Sequence, residues 1–133
     1  MDRHGTPLGA ATDGAGVHEV HLAPAALADV PDTLPMPWPV PVLADRAYDS
    51  DPLRERLAAD GFALVARHRS NRTRPATADG RVLRRLSRRW VVERTVAWLK
   101  SFRRVATRYE RLPHLYDGFV SLACAFIALN RLL

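Results

Sequence analysis

The sequence predicts an α/β fold, and three of its features point there. Two short apolar runs, Val40 to Ala44 and Phe62 to Ala66, flank a helix-forming stretch from Pro52 to Asp60. Strand, helix and strand at that spacing form a βαβ unit with parallel strands and a right-handed crossover. Two longer stretches of helical periodicity close the chain, from about Arg88 to Arg104 and from about Leu115 to Leu132. A further short strand near residues 7–12, lying between two turns, makes the expected sheet a mixed one. With 133 residues the chain is the size of one domain and can bury a real core.

Each element has a local reason. Asp2-Arg3-His4-Gly5 and Asp13-Gly14 read as turns around Pro7 to Thr12, a hairpin whose opening strand would precede Met1. Val17 to Val30 suits a helix broken or delayed at Pro24. Pro31 to Pro41 holds five of the ten prolines and must run extended, with Trp38 expected to pack against the core. The run from Val40 ends at Asp45, the pattern of a buried strand with a carboxylate at its carboxyl end. Asp51 serves as an N-cap, Pro52 as a first helical residue and Gly61 as the stop of the helix between the strands. Arg67 to Ser87 has no apolar periodicity and many arginines, which reads as a basic loop that orders on a partner. In the first closing helix Val91, Thr95, Trp98 and Phe102 make one core stripe, with Val92, Val96 and Leu99 beside it. The second closing helix is apolar enough to be largely buried.

The charge is unevenly placed. The net value is +6, but residues 1–66 carry 4 basic and 10 acidic side chains while residues 67–133 carry 16 and 4. A half that basic attracts polyanions, and counterion release from DNA or RNA supplies the affinity. Nineteen of the twenty long cations are arginine, and Lys100 is the lone lysine, which hints that a point charge is wanted there. The amino terminus has no secretory pattern, and the apolar run Phe119 to Leu129 is shorter than the roughly 20 residues that span a bilayer. A cytoplasmic protein with no membrane partner is expected. Cys124, the single cysteine, cannot form an internal disulfide and is expected to pack as a small hydrophobe.

Chemistry concentrates on Asp45 and Glu93. Two carboxylates, one at a strand end and one on a helix, can bind hard divalent cations such as Mg²⁺ through oxygen. Arg89, Glu93 and Lys100 fall at i, i+4 and i+11, one face of a helix, and that face can hold a metal and a phosphate together. The same spacing fits a structural ion pair between Glu93 and Arg89 or Arg94, and an aspartate after a strand also fits a simple turn cap.

The segments Asp45-Arg46-Ala47-Tyr48-Asp49-Ser50, Arg89-Trp90-Val91-Val92-Glu93-Arg94-Thr95-Val96-Ala97-Trp98-Leu99 and Phe102-Arg103-Arg104 resemble bacterial insertion-sequence transposases of the DDE class. The likeness extends to Arg108-Tyr109-Glu110-Arg111 and Asp2-Arg3-His4-Gly5-Thr6-Pro7-Leu8, and so covers nearly the whole chain. It implies an incomplete ribonuclease H-like fold over residues 1–133. It also implies DNA strand cutting and joining with three carboxylates and two Mg²⁺ or Mn²⁺ ions. By the resemblance Asp45 is the second aspartate of the triad and Glu93 its glutamate, and both are metal ligands. The family's Tyr-Arg-Glu-Lys signature falls on Leu86, Arg89, Glu93 and Lys100, with leucine replacing tyrosine. Arg89, Lys100, Arg94, Arg103 and Arg104 are then the expected DNA contacts, and the basic stretch from Arg67 to Arg85 an electrostatic guide. No residue matches the first aspartate, because Asp2 and Asp13 fall in turns. The expectation is therefore the carboxy-terminal part of a transposase, inactive alone, its partners DNA and an upstream half or a second copy. The alternative is a non-catalytic basic DNA-binding remnant.

Overall fold

The computed structural model describes residues 1–14, 16–77 and 80–132. Ala15, in the expected amino-terminal turn, and Ala78 and Asp79, in the expected basic loop, lie outside the described residues. The chain forms two compact units, one of residues 33–89 and one of residues 1–32 with 90–133.

The βαβ expectation is met in the first of these. Strands β1 (Val40–Leu43) and β2 (Phe62–Val65) run parallel, with Val40 opposite Phe62 and Leu43 opposite Val65. The Ala44 amide donates to Val65 O at 3.0 Å and carries the ladder to the residue before Asp45. Before these strands lies helix α1 (Ala23–Ala28), and between them α2 (Asp51–Ala59). Ser50, not Asp51, caps α2, its Oγ accepting from the Leu53 amide. Gly61 ends the turn at φ +81°, a backbone conformation glycine adopts without penalty, and the Trp38 ring lies over it where a Cβ would stand. Trp38 is 79% exposed, lying over Gly61 rather than packing in the core as expected. Leu53, Leu57, Val65, Ala66 and Leu86 form the buried centre of this unit.

Two corrections concern the sheet and the basic loop. Among the described residues the sheet has two strands, both parallel, so it is not mixed, and residues 7–12 form no strand. A strand needs a ladder partner. Residues 7–12 are held otherwise: Gly9 runs against Ala26 O and the Asp29 Cβ, and the Thr12 hydroxyl donates to Asp117. The basic stretch is not a plain loop. It contains α3 (Gly80–Leu83) and a 3₁₀ segment, Arg84–Arg89, and Leu86 buries its side chain where this segment packs near β1.

The other unit gathers α4 (Trp90–Ser101), α5 (Arg103–Ala106) and α6 (Pro113–Leu132) with the amino-terminal turn and α1. A 3₁₀ turn at Glu19–Leu22 precedes α1, whose first turn holds Pro24, the late start expected there. The helix expected to run to Arg104 breaks at Phe102, whose ψ of 110° is extended and whose ring stacks on Phe126. Val91 and Thr95 are buried with Val120, Ala123 and Ile127 of α6 in this unit's core, whereas Val92 and Val96 lie exposed. Helix α6 is half covered, not largely buried. Leu115, Leu122, Phe126 and Leu129 remain about half exposed because α4 and α5 pack on one side of a helix that is apolar nearly all round. Cys124 is half-buried, and burial pushes its thiol above the ordinary value.

Candidate functional site

Asp45 stands one residue beyond the ladder, where the strand carboxyl end and Arg46–Tyr48, a 3₁₀ turn, meet. One carboxylate oxygen accepts from the Ala47 amide at 2.7 Å, so Asp45 caps the turn, and its second oxygen is uncommitted among the described residues. The carboxyl ends of parallel strands are where α/β proteins place functional groups, because the loops there diverge.

Four residues on, the turn meets a dense network that the sequence pattern left unread. The Asp49 side chain is 2% exposed and faces Arg54 at 2.8 Å, His68 Nδ1 at 3.0 Å and Arg72 at 3.3 Å. The Arg69 amide donates to it at 2.7 Å, and the Arg69 guanidinium reaches Ala47 O at 2.5 Å. Burial alone would raise the Asp49 carboxyl, but the Arg69 amide, His68 and Arg54 outweigh it and hold the group well below the usual carboxylate range. Asp51 pairs with Arg54, Arg72 and Arg74, and the Arg72 guanidinium before all others holds its carboxyl below the ordinary value. The signal for this network was present as Asp49 and Asp51 in a short acidic turn ahead of an arginine-rich stretch. Composition gives the charges, however, and not their pairing.

Glu93 lies in the first turn of α4, where a carboxylate complements the helix dipole. It is exposed, and among the described residues it has no hydrogen bond or ion pair, so the alternative of a structural pair with Arg89 or Arg94 is not formed there. Lys100, in the last turn, stands seven residues on, about 10 Å along the axis on the same face. Arg89 ends the 3₁₀ segment and lies outside the α-helix, so the i, i+4 relation with Glu93 is not one of regular helix geometry. Asp45 belongs to one compact unit and Glu93 to the other.

The remaining expected contacts divide. Arg103 is exposed and its guanidinium has no partner among the described residues. Arg104 pairs with Glu110 at 2.6 Å and lies over the Phe119 ring. Arg94 is sandwiched between the Trp90 and Trp98 rings, 4.7 and 4.9 Å from their centroids, and donates to His4 O at 2.7 Å. Its Nε is buried without a partner among the described residues. Beside it the buried Thr95 hydroxyl donates to Gly5 O at 2.8 Å, and Asp2 closes the same turn by accepting from the His4 and Thr6 amides. Burial opposes ionisation of Asp2, yet the two amides hold its carboxyl below the ordinary value.

Taken one at a time, the Asp45 and Glu93 carboxylates are oxygen donors of the kind Mg²⁺ and Mn²⁺ take, each with an oxygen that is uncommitted among the described residues. Among the described residues, no group of three or more His, Cys, Asp or Glu side chains gathers as a metal cage. No described helix is long and apolar enough to cross a membrane.

Comparison with known proteins places the sequence in a family. A family model described as "Transposase DDE domain" matches residues 1–128. A Burkholderia cepacia protein assigned as the transposase of insertion sequence element IS402 is 37% identical over 136 residues, 98% of this chain and 61% of its own length. A Brucella ovis protein assigned likewise for element IS6501 is 39% identical over 91 residues, 67% of each chain. The chain thus spans about three fifths of the length of the first of these relatives. No solved structure matches. On the family match and both likenesses, the chain belongs to the DDE transposases of bacterial insertion sequences.

Proposed function

We propose that this chain is the carboxy-terminal part of a ribonuclease H-like transposase catalytic domain, which in its complete form cuts and joins DNA strands in the cytoplasm by metal-dependent phosphoryl transfer. The observation that carries the reading is Glu93, an exposed carboxylate without a partner among the described residues, on the helix that also bears Lys100. An exposed glutamate held in no ion pair keeps both carboxylate oxygens open to a ligand.

In this reading Asp45 and Glu93 are the residues that would hold Mg²⁺ or Mn²⁺. When bound, such ions activate the attacking water or hydroxyl and stabilise the leaving oxygen of a phosphodiester. The Ala47 amide fixes the Asp45 carboxylate so that its second oxygen points away from the cap. Lys100, Arg89 and Arg103 hold the DNA backbone as point and forked charges. Arg94 and Arg104 reach DNA only by leaving the partners that now hold them. Within these residues two of three carboxylates are matched, so the chain alone cleaves slowly or not at all, and an upstream half or a second copy supplies the third. A Mg²⁺-dependent nicking assay tests this. The expected result is no nicking by the purified chain. Nicking that disappears in Asp45→Asn would overturn the inactive-fragment reading while keeping the site. Binding of Mn²⁺ that is indifferent to Glu93→Gln, joined to a loss of thermal stability, would favour the non-catalytic DNA-binding remnant.

A further inference from the structure

The arginines of the basic half fall into two populations that composition cannot distinguish. Arg69, Arg72 and Arg74 are engaged by the protein itself. Arg72 donates to Asp51 through both terminal nitrogens at 2.9 and 3.1 Å, Arg74 pairs with Asp51 at 3.2 Å, and Arg69 is tied to Arg46 O and Ala47 O. Arg84, Arg85, Arg88 and Arg89 are all exposed and have no carboxylate partner among the described residues. They sit on the 3₁₀ segment Arg84–Arg89, which Leu86, 6% exposed, anchors near β1. The Ser87 hydroxyl donates to Arg84 O at 2.9 Å and stiffens the segment further.

We propose that this segment is the chain's grip on duplex DNA, with Arg84, Arg85, Arg88 and Arg89 contacting backbone phosphates, while Arg69, Arg72 and Arg74 stay outside the interface. The proposal rests on the transposase reading and says which cations serve it. An arginine already paired with a carboxylate must lose that partner and return the carboxylate to water before it can neutralise a phosphate and release the counterion condensed there. A free arginine on an anchored segment does neither. At a rise of about 2 Å per residue the segment extends about 10 Å, a length over which a duplex presents about six phosphate charges. Four phosphate contacts contribute a slope of about 3.6 in log affinity against log salt, or about a 150-fold loss between 50 and 200 mM.

The test is fluorescence anisotropy of the whole chain with a short labelled DNA duplex across a NaCl series. Substituting glutamine at Arg84, Arg85, Arg88 and Arg89 together is expected to lower the slope by between three and four, at about 0.9 per contact. Arg88→Gln alone should lower it by about one, and Arg74→Gln by much less than one. Lysine at the same four positions should retain the slope. A steep slope in the wild type that survives the fourfold glutamine change, or one that falls with Arg74→Gln, would overturn the assignment and leave the transposase reading standing. Affinity for duplex DNA that is absent or insensitive to salt in the wild type would overturn both.

Discussion

Asp49→Asn should destabilise the unit of residues 33–89 strongly although it changes one oxygen to nitrogen. The wild-type carboxylate is 2% exposed and faces Arg54, His68 and Arg72 within 3.3 Å, with the Arg69 amide at 2.7 Å. Removing one partner of a buried charge cluster costs about 3–5 kcal/mol. Asp51 still pairs with Arg54 and Arg72, so the lower end applies, and about 3 kcal/mol lowers the melting temperature of a chain this size by about 10 °C. The pH dependence has a definite sign. A carboxyl held below its unfolded value of about 3.9 contributes stability fully above about pH 5 and loses it as pH falls toward the folded value. Thermal melts followed by circular dichroism should therefore give a wild-type advantage that is present at pH 5 and above and shrinks below about pH 4. A variant melting within about 2 °C of wild type at pH 7, or an advantage that does not shrink in acid, would refute the reasoning.

Other perturbations test neighbouring statements. Gly5→Ala places a Cβ 2.6 Å from Thr95 Oγ1 at a φ of +90°, and strain with overpacking should cost about 3 kcal/mol in a melt. Thr95→Val removes the donor to Gly5 O from a fully buried position and should cost about 1–2 kcal/mol. Gly61→Ala must displace the Trp38 ring, which occupies the place of the added Cβ, so tryptophan fluorescence should shift with a loss of about 1–2 kcal/mol from the positive φ. Arg94→Lys keeps the charge but loses the fork between two indoles. It should lower the melting temperature and leave the salt slope of DNA binding unchanged.

Much of this was readable from the chain, for reasons that also explain what was not. The strands Val40–Leu43 and Phe62–Val65 declare themselves because both are short apolar runs bounded by turn residues, and the helix between them dictates parallel pairing. Residues 7–12 have the same local look but form no strand, since pairing is a property of the partner and not of the run. The break at Phe102 was hidden because no glycine or proline marks it, and the ring it accompanies, Phe126, lies 24 residues away. Of the proposed site, Asp45 and Glu93 stand out in the sequence as carboxylates at a strand end and on a helix. Glu93's freedom from ion pairs does not, because it depends on Arg94 being drawn to Trp90, Trp98 and His4 O instead. The Asp49 network escaped because contacts among His68, Arg69, Arg72 and the 46–54 turn join residues about twenty apart in sequence.

The central claim is that Asp45 and Glu93 are ligands for a divalent cation. Paramagnetic broadening of the chain's NMR spectrum on titration with Mn²⁺ alone measures this most directly. The account predicts weak, saturable broadening around Asp45 and Glu93 that Asp45→Asn and Glu93→Gln each diminish, with melting changed by less than about 0.5 kcal/mol for Glu93→Gln, as for an exposed unpaired group. Broadening that ignores both substitutions, or that centres on Asp49 and Asp51, would contradict it.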